Sequence, residues 1–293
     1  MSRNVTVGLD GSPESLAAAD WAAHEALLRD APLRLVHAWQ WQPYTYSPLA
    51  GASVPPMDDP RSEWAERLPR ETAARLAERH PGLHISAERI PEQPVTALLA
   101  AAEEADLLVL GSRGLGGVTG FIVGSVALAV VARTERPVVL VRAGERVSDD
   151  HLKGGVVLGL DLERPDGSLI GFAFEAASRR GRNLRVVHGW SLPSSYGYGG
   201  AFDLDLNAEL HAQIRHNMIE VLRPWREKFP GVEVNEQAVV GSAGSHLVDA
   251  SRDAALVVVG RRNRRTPVGP HIGPVTQAVL HHAAAPVAVV PHD

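Results

Sequence analysis

Residues Gly111 to Val126 read GSRGLGGVTGFIVGSV. The apolar run Asp106 to Leu110 (DLLVL) leads into this stretch, and Val126 to Ala132 (VALAVVA) leads out of it towards Arg133. Short β-branched runs suit strands and serine suits a helix start. The stretch is therefore predicted to be a turn between a strand ending at Gly111 and a helix beginning near Ser125. Glycines at 111, 114, 116, 117 and 120 let successive backbone N–H groups point into one concavity without a Cβ clash. An anion seated there would meet the free N–H groups and the positive dipole end of the helix that starts at Gly124 and Ser125. A plain flexible loop is the alternative, and the rest of the chain decides between them.

Upstream, Val5 to Leu9 (VTVGL) reads as a strand, followed by Asp10, Gly11, Ser12 and Pro13 and an alanine-rich helix from about Glu14 to Arg29. Leu33 to Ala38 is a second strand, and Trp39 to Pro60 is a connector broken by prolines and rich in aromatics, read as a lid or a packed surface loop. A helix over Ser62 to Arg79, a strand over His84 to Ile90, a helix over Pro94 to Glu104 and strands at Leu107 to Leu110 and Pro137 to Arg142 complete the series. Strands alternating with helices predict an α/β fold with a parallel sheet covered on both faces.

The series then returns. Gly8, Asp10, His37 and Trp39 recur as Gly159, Asp161, His188 and Trp190, displaced by 151 (161 − 10). Pro81, Gly82, Gly111, Gly124 and Pro137 recur as Pro230, Gly231, Gly260, Gly273 and Pro286, displaced by 149 (260 − 111). This is a tandem duplication, jointed at the polar stretch Gly144 to Lys153, which predicts domains at 1–143 and 154–293.

Composition narrows the function classes. The 293 residues are 45% hydrophobic and 22% charged, ordinary for globular domains. Cysteine is absent, which removes disulfides, thiolate metal sites and cysteine nucleophiles. A net charge of −5 supplies no basic field for nucleic acid. Apolar sequence begins at Val5 with no room for a secretory leader before it, and the longest apolar run falls short of the roughly 20 residues of a membrane span. The expectation is a cytoplasmic protein without membrane or nucleic-acid partners.

Gly111, two residues, Gly114, nine residues, then Gly124 and Ser125 resembles the ATP-binding signature of the universal stress protein family. With Val7-Gly8-Leu9-Asp10-Gly11-Ser12-Pro13, Val36-His37-Ala38 and Arg136-Pro137-Val138-Val139, the resemblance covers essentially the whole chain, as a tandem member of actinobacterial type. It implies two open five-stranded parallel sheets in the order 3-2-1-4-5, an adenine nucleotide alpha hydrolase-like fold. Ligands in such sheets bind at the carboxyl ends of strands where the winding reverses, here between strands one and four. The resemblance also implies that Gly8, Asp10 and Ala38 approach the nucleoside. Leu110, Gly111, Arg113, Gly114, Gly124, Ser125 and Val126 would then wrap the ribose and phosphates. ATP is the implied ligand, with Mg²⁺ bridging its phosphates. A carboxylate repels triphosphate, so Asp10 is expected at base or ribose hydroxyls.

The second half keeps Gly159, Asp161, Gly260 and Gly273 but places Asn263 and Pro274 where the first has Gly114 and Ser125. Pro274 lacks both the hydroxyl and a backbone N–H, and Glu163 adds negative charge, so domain two is expected to bind weakly, bind something else, or serve structurally. Arg261, Arg262, Arg264 and Arg265 are read as a solvated loop rather than a nucleic-acid patch. Asp10 alone is equally consistent with a helix cap. His37 and His188 are read as core or crevice-lining residues, structural rather than catalytic. Neither His281 and His282 nor His211 and His216 has the i, i+4 spacing of a helical metal site.

The function expected is that of a regulatory or stress protein with ATP as ligand and not as fuel, not an enzyme beyond weak intrinsic ATP hydrolysis. The only lysines, Lys153 and Lys228, do not follow glycine as a P-loop requires, and no Gly-x-Ser-x-Gly elbow occurs. Two other classes stand beside it. One is an ATP-hydrolysing or adenylating enzyme on a related fold, and the other is a protein-interaction scaffold that binds no nucleotide. Strand five is an apolar edge in each domain, which predicts pseudo-symmetric pairing of the domains through these edges and a further homodimer.

Overall fold

The computed structural model describes residues 4–40, 60–112, 123–143, 154–191, 204–263 and 272–293. In chain order the first repeat holds β1 (Asn4–Leu9), α1 (Pro13–Leu28), β2 (Leu33–Ala38), α2 (Pro60–Arg79) and β3 (Ile85–Ile90). It continues with α3 (Pro94–Glu103), β4 (Ala105–Gly111), α4 (Ser125–Arg133) and β5 (Val138–Val141). The second repeat holds β6 (Gly155–Gly159), α5 (Gly167–Arg180), β7 (Leu184–Trp190), α6 (Leu204–Lys228) and β8 (Val234–Val240). It ends with α7 (Ala243–Ala250), β9 (Ala254–Arg262), α8 (Pro274–His282) and β10 (Val287–His292).

Within each repeat the strands lie in the order 3-2-1-4-5, as expected. In the first, β1 pairs parallel with β2 from Val5–Leu33 to Leu9–His37, and with β4 as far as Val7–Val109. Because the β4 ladder stops earlier, β1 and β4 part company above Val7 and leave an opening at their carboxyl ends. Val5, Val7, Leu33, Leu35, Leu107 and Leu108 are all wholly buried. That fits strands covered on both faces, which read as continuous apolar runs instead of alternating ones.

Two glycines show which helices cover which face. A Cβ at Gly8 would lie 2.8 Å from Leu98 of α3, and one at Gly111 would lie 2.8 Å from the backbone of Glu14 and Ser15 of α1. So α3 lies over one face and α1 over the other, with the start of α1 pressed onto the end of β4. Helix α1 begins where the sequence dictates. Ser12 is its N-cap, accepting from Ser15 N at 3.2 Å, and Pro13 occupies the first turn, where its missing N–H costs nothing. Gly11 has φ of +82°, and a Cβ there would meet Trp64 of α2 at 2.6 Å, so both backbone and packing require glycine.

The described residues group into two units, one of residues 4–40, 60–112, 123–136 and 141–143, the other of 137–140, 154–191, 204–263 and 272–293. In the second unit β6 is flanked by β7 and β9, all parallel, and β10 pairs parallel with β9. Val138, Val139 and Leu140 also belong to this unit, paired antiparallel with Val289, Ala288 and Val287. Helix α5 starts three residues later than the duplication predicts. Its N-cap is Asp166, which accepts from Ser168 N and Leu169 N, and Gly181 closes it in the left-handed conformation at φ 59°.

Candidate functional site

In the first unit the carboxyl ends of β1 and β4 carry Asp10 and Gly111. Asp10 Oδ1 accepts from Ser12 N at 2.9 Å and Ser12 Oγ at 2.5 Å, leaving Oδ2 as the oxygen without such a partner among the described residues. The turn after β4 is tied at its base: Gly124 N donates to Ser112 O at 2.9 Å, and Ser112 N donates to Val141 O at 2.7 Å. Gly124 is the N-cap of α4 and offers no side-chain cap, while Ser125 and Val126 are exposed. Helix α4 thus starts at exposed residues, and the unpaired N–H groups of a helix's first turn are an arrangement that can hold anions.

His37 sits behind this opening. It stands opposite Leu9 in the β1–β2 register and so points to the α1 face, whereas Ala38 and Gly8 point to the α3 face. The ring is 4% exposed, edge-on to Trp64 at 5.3 Å and stacked on Trp39 at 6.5 Å. Its Nδ1 donates to Leu9 O at 2.7 Å. Burial pushes its pKa below the ordinary value, assisted by Arg89 and opposed by the Leu9 hydrogen bond and by Asp10. The imidazole is a neutral strut beneath the crevice floor.

The corresponding strand ends of the second unit carry different polar groups and different packing. Asp161, the counterpart of Asp10, accepts from Arg262 Nη2 at 2.8 Å through Oδ2 and from Glu163 N at 3.0 Å through Oδ1. Gly189 stands where the first repeat has Ala38, and a Cβ there would lie 2.6 Å from Ala243 N, so α7 begins where Ala38 carries a real methyl. A Cβ at Gly260 would lie 2.5 Å from His292 Nε2, and that ring reaches Asp166 Oδ2 at 4.0 Å. Pro274 occupies the first turn of α8, removing an N–H that α4 retains at Ser125. The Arg262–Asp161 pair is 40% and 51% exposed and is worth at most about 1 kcal/mol.

The model of the universal stress protein family matches residues 1–142 and again 155–291. The chain belongs to this family. It is 34% identical to universal stress protein Rv2005c of Mycobacterium tuberculosis over 97% of this chain and 96% of the relative. It is 30% identical to universal stress protein Rv2623 of the same species over 98% and 96%. The crystal structure of a universal stress protein from Archaeoglobus fulgidus aligns over 100% of both chains with a TM-score of 0.70 and 18% identity, a likeness of fold.

Placed in this universal stress protein, the predicted residues separate by role. Asp10, Gly111, Gly124, Ser125 and Val126 border the first opening, and Ala38, half-buried, ends β2 beside it. Gly8 and Leu110 lie underneath, the space over Gly8 being taken by Leu98 and Leu110. Arg113 and Gly114 lie outside the described residues, as do Trp41 to Asp59 of the aromatic connector. In the second unit Gly159 is covered by Leu247, Gly260 by His292, and Asp161 is ion-paired, while Gly273 is open.

Three readings are corrected or resolved. Arg261 and Arg262 do not lie in a solvated loop: β9 runs through both, Arg261 is 5% exposed, and Arg262 is paired. Asp10 is not the helix cap, since Ser12 fills that place. His37 belongs to the core, not to the crevice lining. Sequence reasoning missed Trp64, Gly189 and His292. Of these, Gly189 in place of Ala38 was the one visible signal, a repeat position that had lost its side chain.

Proposed function

We propose that this universal stress protein binds an adenine nucleotide, ATP with Mg²⁺, in a regulatory stress-response role, and that it does so mainly through its first repeat. The supporting observation is the contrast between the two crevices. In the first repeat α4 starts at exposed Ser125 and Val126 and Asp10 Oδ2 has no hydrogen-bond partner among the described residues, whereas in the second Asp161 is paired with Arg262 and α8 starts with Pro274. The residues present suit the ligand. Ser125 and the N-terminal amides of α4 would hold phosphate oxygens, Asp10 would take ribose or base hydroxyls, and Mg²⁺ would be carried by the phosphates themselves. ATP acts here as a ligand and is not turned over, in a cytoplasmic protein. Among the described residues no helix is long and apolar enough to cross a membrane. The second repeat serves as a structural partner of the first within one chain.

The test is to denature freshly purified full-length protein, identify released nucleotide by mass, and titrate the stripped chain with Mg-ATP by calorimetry. One adenine nucleotide per chain is expected. None at millimolar ATP sinks the binding assignment, and two per chain sinks the assignment to the first repeat.

A further inference from the structure

Two histidines at equivalent repeat positions make the same unusual bond. His37 Nδ1 lies 2.7 Å from Leu9 O, and His188 Nδ1 lies 2.9 Å from Leu160 O. A carbonyl can only accept, so Nδ1 carries the proton in both rings. In each case the carbonyl belongs to the residue immediately before the crevice aspartate, Leu9 before Asp10 and Leu160 before Asp161.

The position matters because the strand is one-sided there. The β1–β4 ladder ends at Val7–Val109, whereas the β1–β2 ladder continues to Leu9–His37. Likewise the β6–β9 ladder ends at Leu158–Val258, while Leu160 N still bonds to Val187 O. The peptide that presents the aspartate thus projects past the β4 ladder and is held from β2 and, through Asp10 N to Ser15 Oγ at 3.3 Å, from α1. His37 adds a bond there from a buried ring that contacts Trp39 and Trp64. Beyond the aspartate, Ser12 N and Ser12 Oγ hold Asp10 Oδ1. The aspartate is held on both sides of its Cα, through the Leu9 peptide and through Oδ1.

We infer that His37 is a positioning residue for nucleotide binding. It holds the Leu9 peptide so that Asp10 meets the ribose or base without an ordering cost on binding. This rests on the nucleotide reading above, and on a packing role alone His37 and His188 would be interchangeable. Substituting each in turn separates the two ideas, because the aspartate above His188 is already paired with Arg262.

The experiment uses the full chain, Mg-ATP as probe, calorimetric Kd and a urea midpoint. His37→Leu is expected to raise Kd about tenfold or more at unchanged stoichiometry, the order of one lost well-placed hydrogen bond. His37→Asn, whose amide nitrogen reproduces Nδ1, is expected to stay within about threefold of the parent. His188→Leu deletes the same bond in the second unit and is expected to lower the urea midpoint as His37→Leu does while leaving Kd unchanged. Should His37→Leu fail to fold, His37→Gln replaces it, since its amide nitrogen sits at the Nε2 position and away from Leu9 O. Overturning results are a leucine or glutamine variant at 37 that binds like the parent, or a His188→Leu that weakens binding equally. An asparagine variant no better than leucine also overturns the inference. A parent chain that binds no Mg-ATP overturns the function reading instead, and the two failures are told apart by that first titration.

Discussion

Asp10 and Asp161 hold the same place in two copies of one unit, yet their neighbours give them opposite fates. Asp10 is held by Ser12 through Oδ1, whereas Asp161 pairs through Oδ2 with Arg262. The histidine beneath each aspartate is retained, and at position 37 its burial has a measurable consequence. Its pKa in the folded chain lies below the ordinary value of about 6.5, chiefly because a charged imidazolium would be desolvated. Between the two values the unfolded chain binds the extra proton, so stability rises with pH there. The contribution is complete above about pH 6.5 and is lost as pH falls through the folded-state value. Comparing urea midpoints of the parent and His37→Asn from pH 7.5 to 5 should show the parent's advantage shrinking on the acid side. An advantage that grows towards pH 5 would contradict a neutral buried ring. The aspartates and glycines of the crevice were legible in the sequence because turn chemistry is local. Trp64 over Gly11 was not, since α2 must first fold back before that contact exists.

Helix starts carry a chemical difference between the repeats. Helices α4 and α8 are both nine residues long and both begin after a glycine N-cap, but the first helical residue is serine in one and proline in the other. Proline at that position costs a helix little, because its φ is suitable and its N–H would have no partner inside the helix. For an anion the same N–H is the binding group. Ser125→Pro should therefore leave the urea midpoint within the equivalent of about 1 kcal/mol while weakening Mg-ATP binding about tenfold to a hundredfold, the loss of one or two bonds to a charged group. Calorimetry and urea unfolding of the same preparation decide it. Unchanged affinity would remove the α4 terminus from the phosphate site. These helix starts were readable from Gly-Ser and Gly-Pro. The length of β9 was not, because a run of arginines has the composition of a loop, and only pairing of Arg261 and Arg262 with Pro291 and His292 extends the strand.

At the level of the molecule, the boundary drawn by the repeat and the boundary drawn by packing differ at one strand. The duplication assigns Val138 to Leu140 to the first copy, but these residues pack in the second unit, antiparallel to β10. The sequence showed an apolar strand with an edge to satisfy; it did not show which unit's core the strand completes, since side-chain pattern alone does not set pairing partners. The consequence is that a lesion in the first copy should be felt in the second. Val139 is 0% exposed and sits opposite Ala288, so Val139→Asp places a carboxylate in a dry ladder at a cost of roughly 3–5 kcal/mol. Hydrogen exchange should then accelerate at amides of β10, with which that strand pairs, while Val7 and Leu35 in the first unit keep their protection. Acceleration confined to β1, β2 and β4 would mean instead that the strand's stability is drawn from the copy that encodes it.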